Sequence, residues 1–231
     1  MAGFKTAQII LGDAIFERLK DITFPRELKA SVATFKGVHG ELSARQNVVQ
    51  EAEARRDAAL AGVTSADSKL DALIRKLVAT LPAHDLGARR NPLADYSTFT
   101  ESQLIDLAFV KEANEATRIA NVILKKKPPA PVAKICKDIL AAAKAVSVAI
   151  RGTAAPQRAY SAALAKRDAL LLDWTGAKDR FQRRATGAWA DEPEMVETLF
   201  AAPSAMEQPK TRRAKKAATT TASPTNGAAP T

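Results

Sequence analysis

The feature that most constrains the fold is an apolar stripe that keeps one heptad phase over a long stretch of chain. It occupies 16 positions between Leu28 and Leu81, of which 11 are apolar. Alternating steps of four and three residues place these side chains on one face of a helix. An uninterrupted helix over this range would be about 80 Å long. The stripe positions are Leu28, Val32, Phe35, His39, Leu42, Gln46, Val49, Glu53, Arg56, Leu60, Val63, Asp67, Leu70, Ile74, Leu77 and Leu81.

Two places in this stretch could break the helix. Gly37 and Gly40 lie close together, and Gly62 precedes a Thr-Ser-Ala-Asp segment that resembles a capping box. A helix broken near Gly40 or Gly62 and a continuous helix therefore both remain open.

A second segment repeats part of the first. Residues 46–70 and 157–181 share nine identities at an offset of 111 residues. Four of the nine are alanines, and alanine is common throughout the chain. The second segment also continues the heptad phase of the first, so we expect two copies of one supersecondary unit.

Prolines and glycines divide the remainder of the body into helices. A first helix over about 4–23 ends before Pro25, a connector covers 82–100, and a third helix starts at Thr100 or Ser102. The run Lys-Pro-Pro-Ala-Pro at 127–131 ends the third helix, and Pro156 interrupts the fourth, so we expect a new start capped by Thr153. A short terminal helix is expected at about 193–201.

These elements predict an all-α protein, since no segment alternates β-branched or aromatic residues as a strand would. Residues 1–202 are predicted to form an antiparallel four-helix bundle of two pseudo-repeated hairpins, about 4–81 and about 101–189, with long helices that resemble a coiled coil. Residues 203–231 are rich in Ala, Thr and Pro. We expect this tail to be disordered, because it has too few large apolar side chains to offset the entropy of ordering.

Composition places the chain in a broad class. Cys136 is the single cysteine, so no internal disulfide is possible. No apolar run reaches the roughly 18 residues that a membrane span needs, and the N-terminal segment carries Asp13 and Glu17 where a signal peptide would be apolar. The expected location is cytoplasmic.

The motifs of common enzymes and cofactor sites are not found in the sequence. Neither His39 nor His84 has the Glu three residues earlier that bundle di-metal sites use, and neither a P-loop nor a G-x-G-x-x-G motif occurs. We therefore predict no metal, no cofactor and no catalytic residues, with His39 as a packed or partly exposed histidine and Cys136 as a small core residue.

Polar residues at stripe positions of both repeat copies allow two interpretations. They could form a polar core layer that fixes register or holds a ligand, with the buried arginines paired to Glu53, Asp57 or Asp168. Alternatively, the stripe faces solvent at these positions. The residues are Gln46, Gln157, Arg56 and Arg167.

Two basic features could contact the backbone of DNA or RNA. One is the tail run Lys210, Arg212, Arg213, Lys215 and Lys216, which gives the tail a net charge of +4 out of +10 for the chain. It resembles the Lys/Ala/Pro-rich tails of linker-histone-like and granule-associated bacterial proteins, although a nuclear localisation signal or a solubilising tail would look the same. The other is Lys178, Arg180, Arg183 and Arg184, which alternate with Trp174, Phe181 and Trp189. Such mixtures suit single-strand binding, but a core of aromatics with a solvated arginine face has the same pattern.

The sequence therefore predicts a non-enzymatic structural or interaction protein, a helical bundle whose basic tail binds nucleic acid or another polyanion weakly and without sequence preference. The alternative is a helical scaffold or assembly subunit that binds a protein partner, or itself, through its long helices, with an inert tail.

Overall fold

The computed structural model describes residues 2–203, with side chains from residue 7 onward. Within this range every regular element is a helix and no strand is present, which confirms the all-α prediction. The α-helices are α1 (Ala2–Leu19), α2 (Lys29–Thr80), α3 (Glu101–Ile105), α4 (Phe109–Lys125), α5 (Ala130–Gly152), α6 (Ala154–Ala188) and α7 (Pro193–Phe200). Short 3₁₀ turns at Arg26–Leu28 and Leu81–His84 flank α2.

Helix α2 is continuous over 52 residues, which corresponds to about 78 Å. It passes through Gly37, Gly40 and Gly62 without a break. These glycines cost helix propensity, but helices in proteins are stabilised mainly by the packing of an apolar face, and α2 has such a face at both of its ends.

Helices α5 and α6 follow each other with only Thr153 between them, and both pack along α2. The interruption follows from Pro156, which lacks an N–H group and whose ring would clash with the carbonyl of Gly152 in a continuous helix. Helix α6 starts after Thr153, as predicted. The hydroxyl of Thr153 does not cap it, however, and donates instead to the carbonyl of Ile150 at 2.7 Å.

Helices α2 and α6 run antiparallel to each other. Trp174 Nε1 lies 3.2 Å from His39 Nδ1, and Arg167 Nη1 lies 2.8 Å from Gln46 Oε1. The two pairs have the same sum of residue numbers, as a constant antiparallel register requires.

Helix α2, packed along α5 and α6, forms a rod, and the core divides between the two ends of this rod. At one end, which we call the aromatic end, α1, α7 and the nearby parts of α2 and α6 bury a cluster that includes Phe35, Trp174 and Phe181. At the other, the aliphatic end, α3, α4, α5 and the last third of α2 bury a cluster that includes Leu70, Ile74 and Ile123.

Between the two ends the rod is thin. No residue in 53–62 of α2 or in 147–162 of α5 and α6 is buried, and the small cluster of Val49, Ala52 and Ala163 lies beside this segment. We call residues 53–62 and 147–162 the waist.

The structure therefore does not confirm the predicted four-helix bundle. Helices α1 and α4, the shorter members of the predicted hairpins, pack at opposite ends of α2 and not face to face. With 18 and 17 residues, they are too short to run along a helix of 52 residues. Each covers one end, and the middle remains a two-helix rod.

The predicted third helix is also divided. Thr100 starts α3 with a capping box to Gln103, as expected from the sequence, but α3 ends at Ile105. Ala108 has an extended backbone before α4 begins at Phe109. The chain turns here so that Leu104 is buried while Phe109 stays 41% exposed. The terminal helix at Pro193–Phe200 agrees closely with its prediction.

Candidate polyanion interface and buried polar clusters

Three of the four predicted basic residues of α6 are exposed. Arg180, Arg183 and Arg184 lie on the surface of the aromatic end, and within the described part of the chain none has an ion pair. Lys178 is half-buried, pairs with Asp179 at 3.2 Å and donates to Gln182 at 3.2 Å. The three arginines are therefore free to contact an anion, whereas Lys178 is already engaged.

Two of these arginines border a cleft between α2 and α6. Its volume is about 190 Å³, and its lining contains no acidic side chain. The hydroxyls of Ser31 and Thr34 line its α2 side, where they donate to the carbonyls of Leu28 and Ala30 at 2.9 Å. A cleft with two guanidinium groups at its edge and no carboxylate attracts anions. Its lining residues are Ala30, Ser31, Thr34, Ala177, Arg180 and Arg184.

The aromatic residues next to these arginines are not available to nucleic acid. Trp174, Phe181 and Trp189 are all buried in the aromatic end. Phe35 contacts two of them, with ring centroids 5.5 Å from Trp174 and 6.0 Å from Phe181. Base stacking on this face, one of the two interpretations of the sequence, is therefore excluded, and an arginine face over an aromatic core is the arrangement found.

The last described residues lie at this same end of the rod. Phe200 packs on Phe181 with ring centroids 5.0 Å apart, and Arg18 donates to the carbonyls of Leu199 and Ala201 at 3.1 and 2.8 Å. The tail residues Lys210, Arg212, Arg213, Lys215 and Lys216 lie outside the described residues. Lys210 follows Pro203 by seven residues in the sequence.

The residues predicted as a polar core layer have unequal environments. Arg167 is buried, with its side chain 7% exposed, and it donates to Gln46 at 2.8 Å and to Asp168 at 3.0 and 3.1 Å. Asp168 is thus the partner of Arg167 among the candidates named from the sequence. Gln46 is half-buried, whereas Gln157, its counterpart in the repeat, is exposed.

Arg56, the counterpart of Arg167, lies in the waist. Its guanidinium stacks over the ring of Tyr160 at 4.2 Å and pairs with Asp57 at 2.7 Å and Glu53 at 3.3 Å. The hydrogen bond to Asp57 raises the pKa of Arg56. The structure thus brings Gln46 and Arg167 together and places Arg56 with other partners.

A cluster of three carboxylates at the aliphatic end was not predicted. Asp67 and Asp71 lie one turn apart on α2, and Glu112 lies in the first turn of α4. One carboxylate oxygen from each residue lies within 4.8 Å of the other two. Glu112 is fully buried, and burial raises its pKa to about 9, with the neighbouring Asp71 and Asp67 carboxyls adding to the rise.

Most oxygens of this cluster have no donor. Both carboxylate oxygens of Glu112, and one each of Asp67 and Asp71, are buried without a hydrogen-bond partner. The expectation of no metal rested on histidine and cysteine spacing, which does not reveal a group made of carboxylates alone. The sequence sign of this cluster was Asp67, a polar residue at an apolar stripe position, one turn before Asp71.

A second buried polar group lies at the aromatic end. His39 is buried, accepts a hydrogen bond from Trp174 Nε1 at its Nδ1 atom, and contacts Asp13 Oδ1 through Nε2 at 2.8 Å. Because Nδ1 accepts, Nε2 carries the proton and donates to Asp13. His39 is thus a packed histidine with both ring nitrogens engaged.

Cys136 is buried in α5, as expected for a small core residue. Burial raises the pKa of its thiol to about 11.

Comparisons of the chain with protein-family models, with curated proteins and with solved structures found no match. Among the helices of residues 2–203, none combines the length and the apolar character needed to cross a membrane.

Proposed function

We propose that this protein is a non-enzymatic structural protein that binds nucleic acid or another polyanion weakly at its aromatic end. Binding would involve the exposed arginines of α6 together with the basic tail. The observation that carries the proposal is the placement of Arg180, Arg183 and Arg184 on an exposed face, where none forms an ion pair with another residue that the structure describes. This face lies at the end of the rod from which the chain continues into the tail.

The charges at this end support backbone contacts and not base recognition. The arginines offer guanidinium groups that pair with phosphate, and the aromatic side chains next to them are buried. Asp191, Glu192 and Glu194 line a separate cleft with Ile22 and Met195, and Glu27 lines a third cleft beside Arg184. Binding should therefore be sequence-independent and strongly salt-dependent.

The rod supports the structural part of the proposal. Its long antiparallel pair holds the two ends apart over a helix of about 78 Å, a geometry suited to a spacer. The sequence repeat is consistent with the pairing of α2 and α6. Gln46 contacts Arg167, and at an offset of 111 residues the equivalent positions are Gln157 and Arg56. We infer that the two repeat copies pair with each other, although Arg56 stacks on Tyr160 and not on Gln157.

A salt series tests the proposal directly. Binding of the full-length protein to a random duplex DNA is measured by fluorescence anisotropy between 50 and 200 mM KCl, conditions chosen because backbone contacts weaken steeply in this range. Neutralising about eight phosphates would give a log–log slope near −7. Two variants separate the contributions, one with the five basic tail residues changed to Gln and one carrying Arg180→Gln, Arg183→Gln and Arg184→Gln.

The tail variant should reduce the magnitude of the slope by about 4.5 and the α6 variant by about 2.7. The control removes three exposed charges at the opposite end, as Arg89→Gln, Arg90→Gln and Lys125→Gln, and should leave the slope unchanged. No binding at 50 mM KCl, or equal slopes for all four proteins, would refute the proposal. An unchanged slope in the α6 variant alone would refute the role of α6.

A further inference from the structure

We propose that Asp67, Asp71 and Glu112 bind one divalent cation that prefers oxygen ligands, such as Mg²⁺, Mn²⁺ or Ca²⁺, and that this ion joins α2 to the start of α4. The site lies at the aliphatic end and is independent of the proposed polyanion interface.

The spacing of the carboxylates suits an ion. Oxygen ligands lie about 2.0–2.6 Å from these cations, so two ligands of one ion are at most about 5 Å apart. One carboxylate oxygen from each of the three residues lies within 4.8 Å of the other two. Asp67 and Asp71 reach the site from one face of α2 because residues four apart on a helix are neighbours. Glu112 reaches it from α4.

Burial provides an independent reason to expect a ligand. Glu112 is fully buried, yet neither of its carboxylate oxygens receives a hydrogen bond from the described part of the chain. An ionised carboxylate in this position, facing two others, would be strongly unfavourable without a compensating positive charge.

Arg118 and Arg75, the arginines nearest to the cluster in the sequence, have other partners, and the still nearer Lys69 and Lys111 are exposed. Arg118 pairs with Glu115 at 2.6 Å and donates to the carbonyl of Tyr96 at 2.6 Å, and Arg75 lies 4.0 Å from Glu101. Among the ion pairs of the described residues, none involves Asp67, Asp71 or Glu112. When all three carboxyls are ionised, an ion from solution is therefore the partner that the cluster requires.

The donor set indicates the class of ion. Three carboxylates without a histidine or cysteine are typical ligands of Mg²⁺, Ca²⁺ and Mn²⁺, whereas Zn²⁺ and Cu²⁺ sites usually contain nitrogen or sulfur ligands. Three ligands leave positions for water, as is common for Mg²⁺.

The test uses full-length protein stripped with a chelator and dialysed into buffered KCl. Mg²⁺, Ca²⁺ and Mn²⁺ are titrated separately by calorimetry and by thermal unfolding, and Mn²⁺ binding is counted by electron paramagnetic resonance. We expect at least one of these ions to bind with a stoichiometry of one, to raise the melting temperature and to slow hydrogen exchange at the start of α4. The last effect follows because the ion would hold Glu112 against α2.

Two variants and one control identify the site. Glu112→Gln and Asp71→Asn should each weaken binding by at least about tenfold, since each removes a charged ligand. Asp138→Asn removes an exposed carboxylate of α5 at the same end and should bind like the unchanged protein.

The titration of the unchanged protein is decisive even if a variant fails to fold. If none of the three ions binds or shifts the melting temperature at millimolar concentration, the cluster is held by shared protons and the proposal is wrong. Equal weakening by Asp138→Asn would likewise overturn it, because binding would then reflect only diffuse surface charge.

Discussion

Replacing Gln46 with methionine should destabilise the protein, whereas the same change at Gln157 should not. The two glutamines occupy equivalent positions in the sequence repeat, and Gln→Met keeps the side-chain length and much of the helix propensity. Gln46 Oε1 accepts a hydrogen bond from the buried guanidinium of Arg167 at 2.8 Å, while Gln157 is exposed. The pair is therefore a matched test and control within one chain.

The expected size of the effect follows from the charge of Arg167. A hydrogen bond to a charged group contributes about 1.5–3 kcal/mol, and its loss leaves part of a buried guanidinium without an acceptor. We expect Gln46→Met to lower the free energy of unfolding by about 2 kcal/mol. Exposed positions usually change it by less than about 0.5 kcal/mol, which is the expectation for Gln157→Met.

Urea unfolding followed by circular dichroism measures both changes. For an m-value of about 3 kcal/mol per molar urea, the Gln46→Met midpoint should fall by about 0.7 M, and the Gln157→Met midpoint should stay within about 0.2 M of the parent. A double-mutant cycle with Arg167→Met should give a coupling energy above about 1 kcal/mol. Equal midpoints for the two glutamine variants would refute the polar layer and favour a stripe that faces solvent here.

Two further predictions concern glycine and cysteine. Gly62→Ala should raise the free energy of unfolding by about 0.8–1 kcal/mol, because its new Cβ meets open space in a helix. Gly12→Ala should lower the free energy of unfolding by about 1–3 kcal/mol, since its Cβ would collide with the His39 ring. Thermal melts in which both variants shift in the same direction would contradict this packing. Burial raises the pKa of the Cys136 thiol to about 11 from 9.0, so this thiol should react with an alkylating reagent at pH 8 only as fast as the protein unfolds. The free energy of unfolding should fall as the pH rises from about 9 to about 11, because the thiol ionises first in the unfolded chain. Fast labelling of the folded protein would contradict the burial of Cys136.

The helices of this protein could be predicted from the sequence because their signals are local. The heptad stripe predicted the extent of α2 but left open a break near Gly40 or Gly62, and the prolines at 128, 129, 131 and 156 predicted the limits of α5 and α6. At the two ends of the rod the stripe residues are buried, as for Phe35 and Leu70. In the waist the same pattern is not buried, and Leu60 is 49% exposed. A heptad pattern shows which face a helix offers, but not whether a neighbour covers it.

The parts that were not predicted depend on how segments meet in space. The short helices α1 and α4 have suitable apolar stripes for a four-helix bundle, but their lengths let each cover only one end of α2. The carboxylate cluster joins Asp67 and Asp71 to Glu112, which is far along the chain and belongs to a different helix. No spacing rule within a single helix could have placed these residues together.

Polar residues at stripe positions of α2 fix the register in which α6 packs along it. An alanine-rich apolar seam could slide by one heptad and still bury similar side chains, so the apolar residues alone specify the register of α2 and α6 weakly. Such a slide would separate His39 from Trp174 and Gln46 from Arg167 at once, and would leave a buried guanidinium to find a new acceptor. Removing one partner of a buried ionic group costs about 3–5 kcal/mol, more than a small change in apolar contact would recover. We therefore expect these polar contacts, and not the apolar stripe, to hold the rod in a single register and so to fix the distance between its two ends.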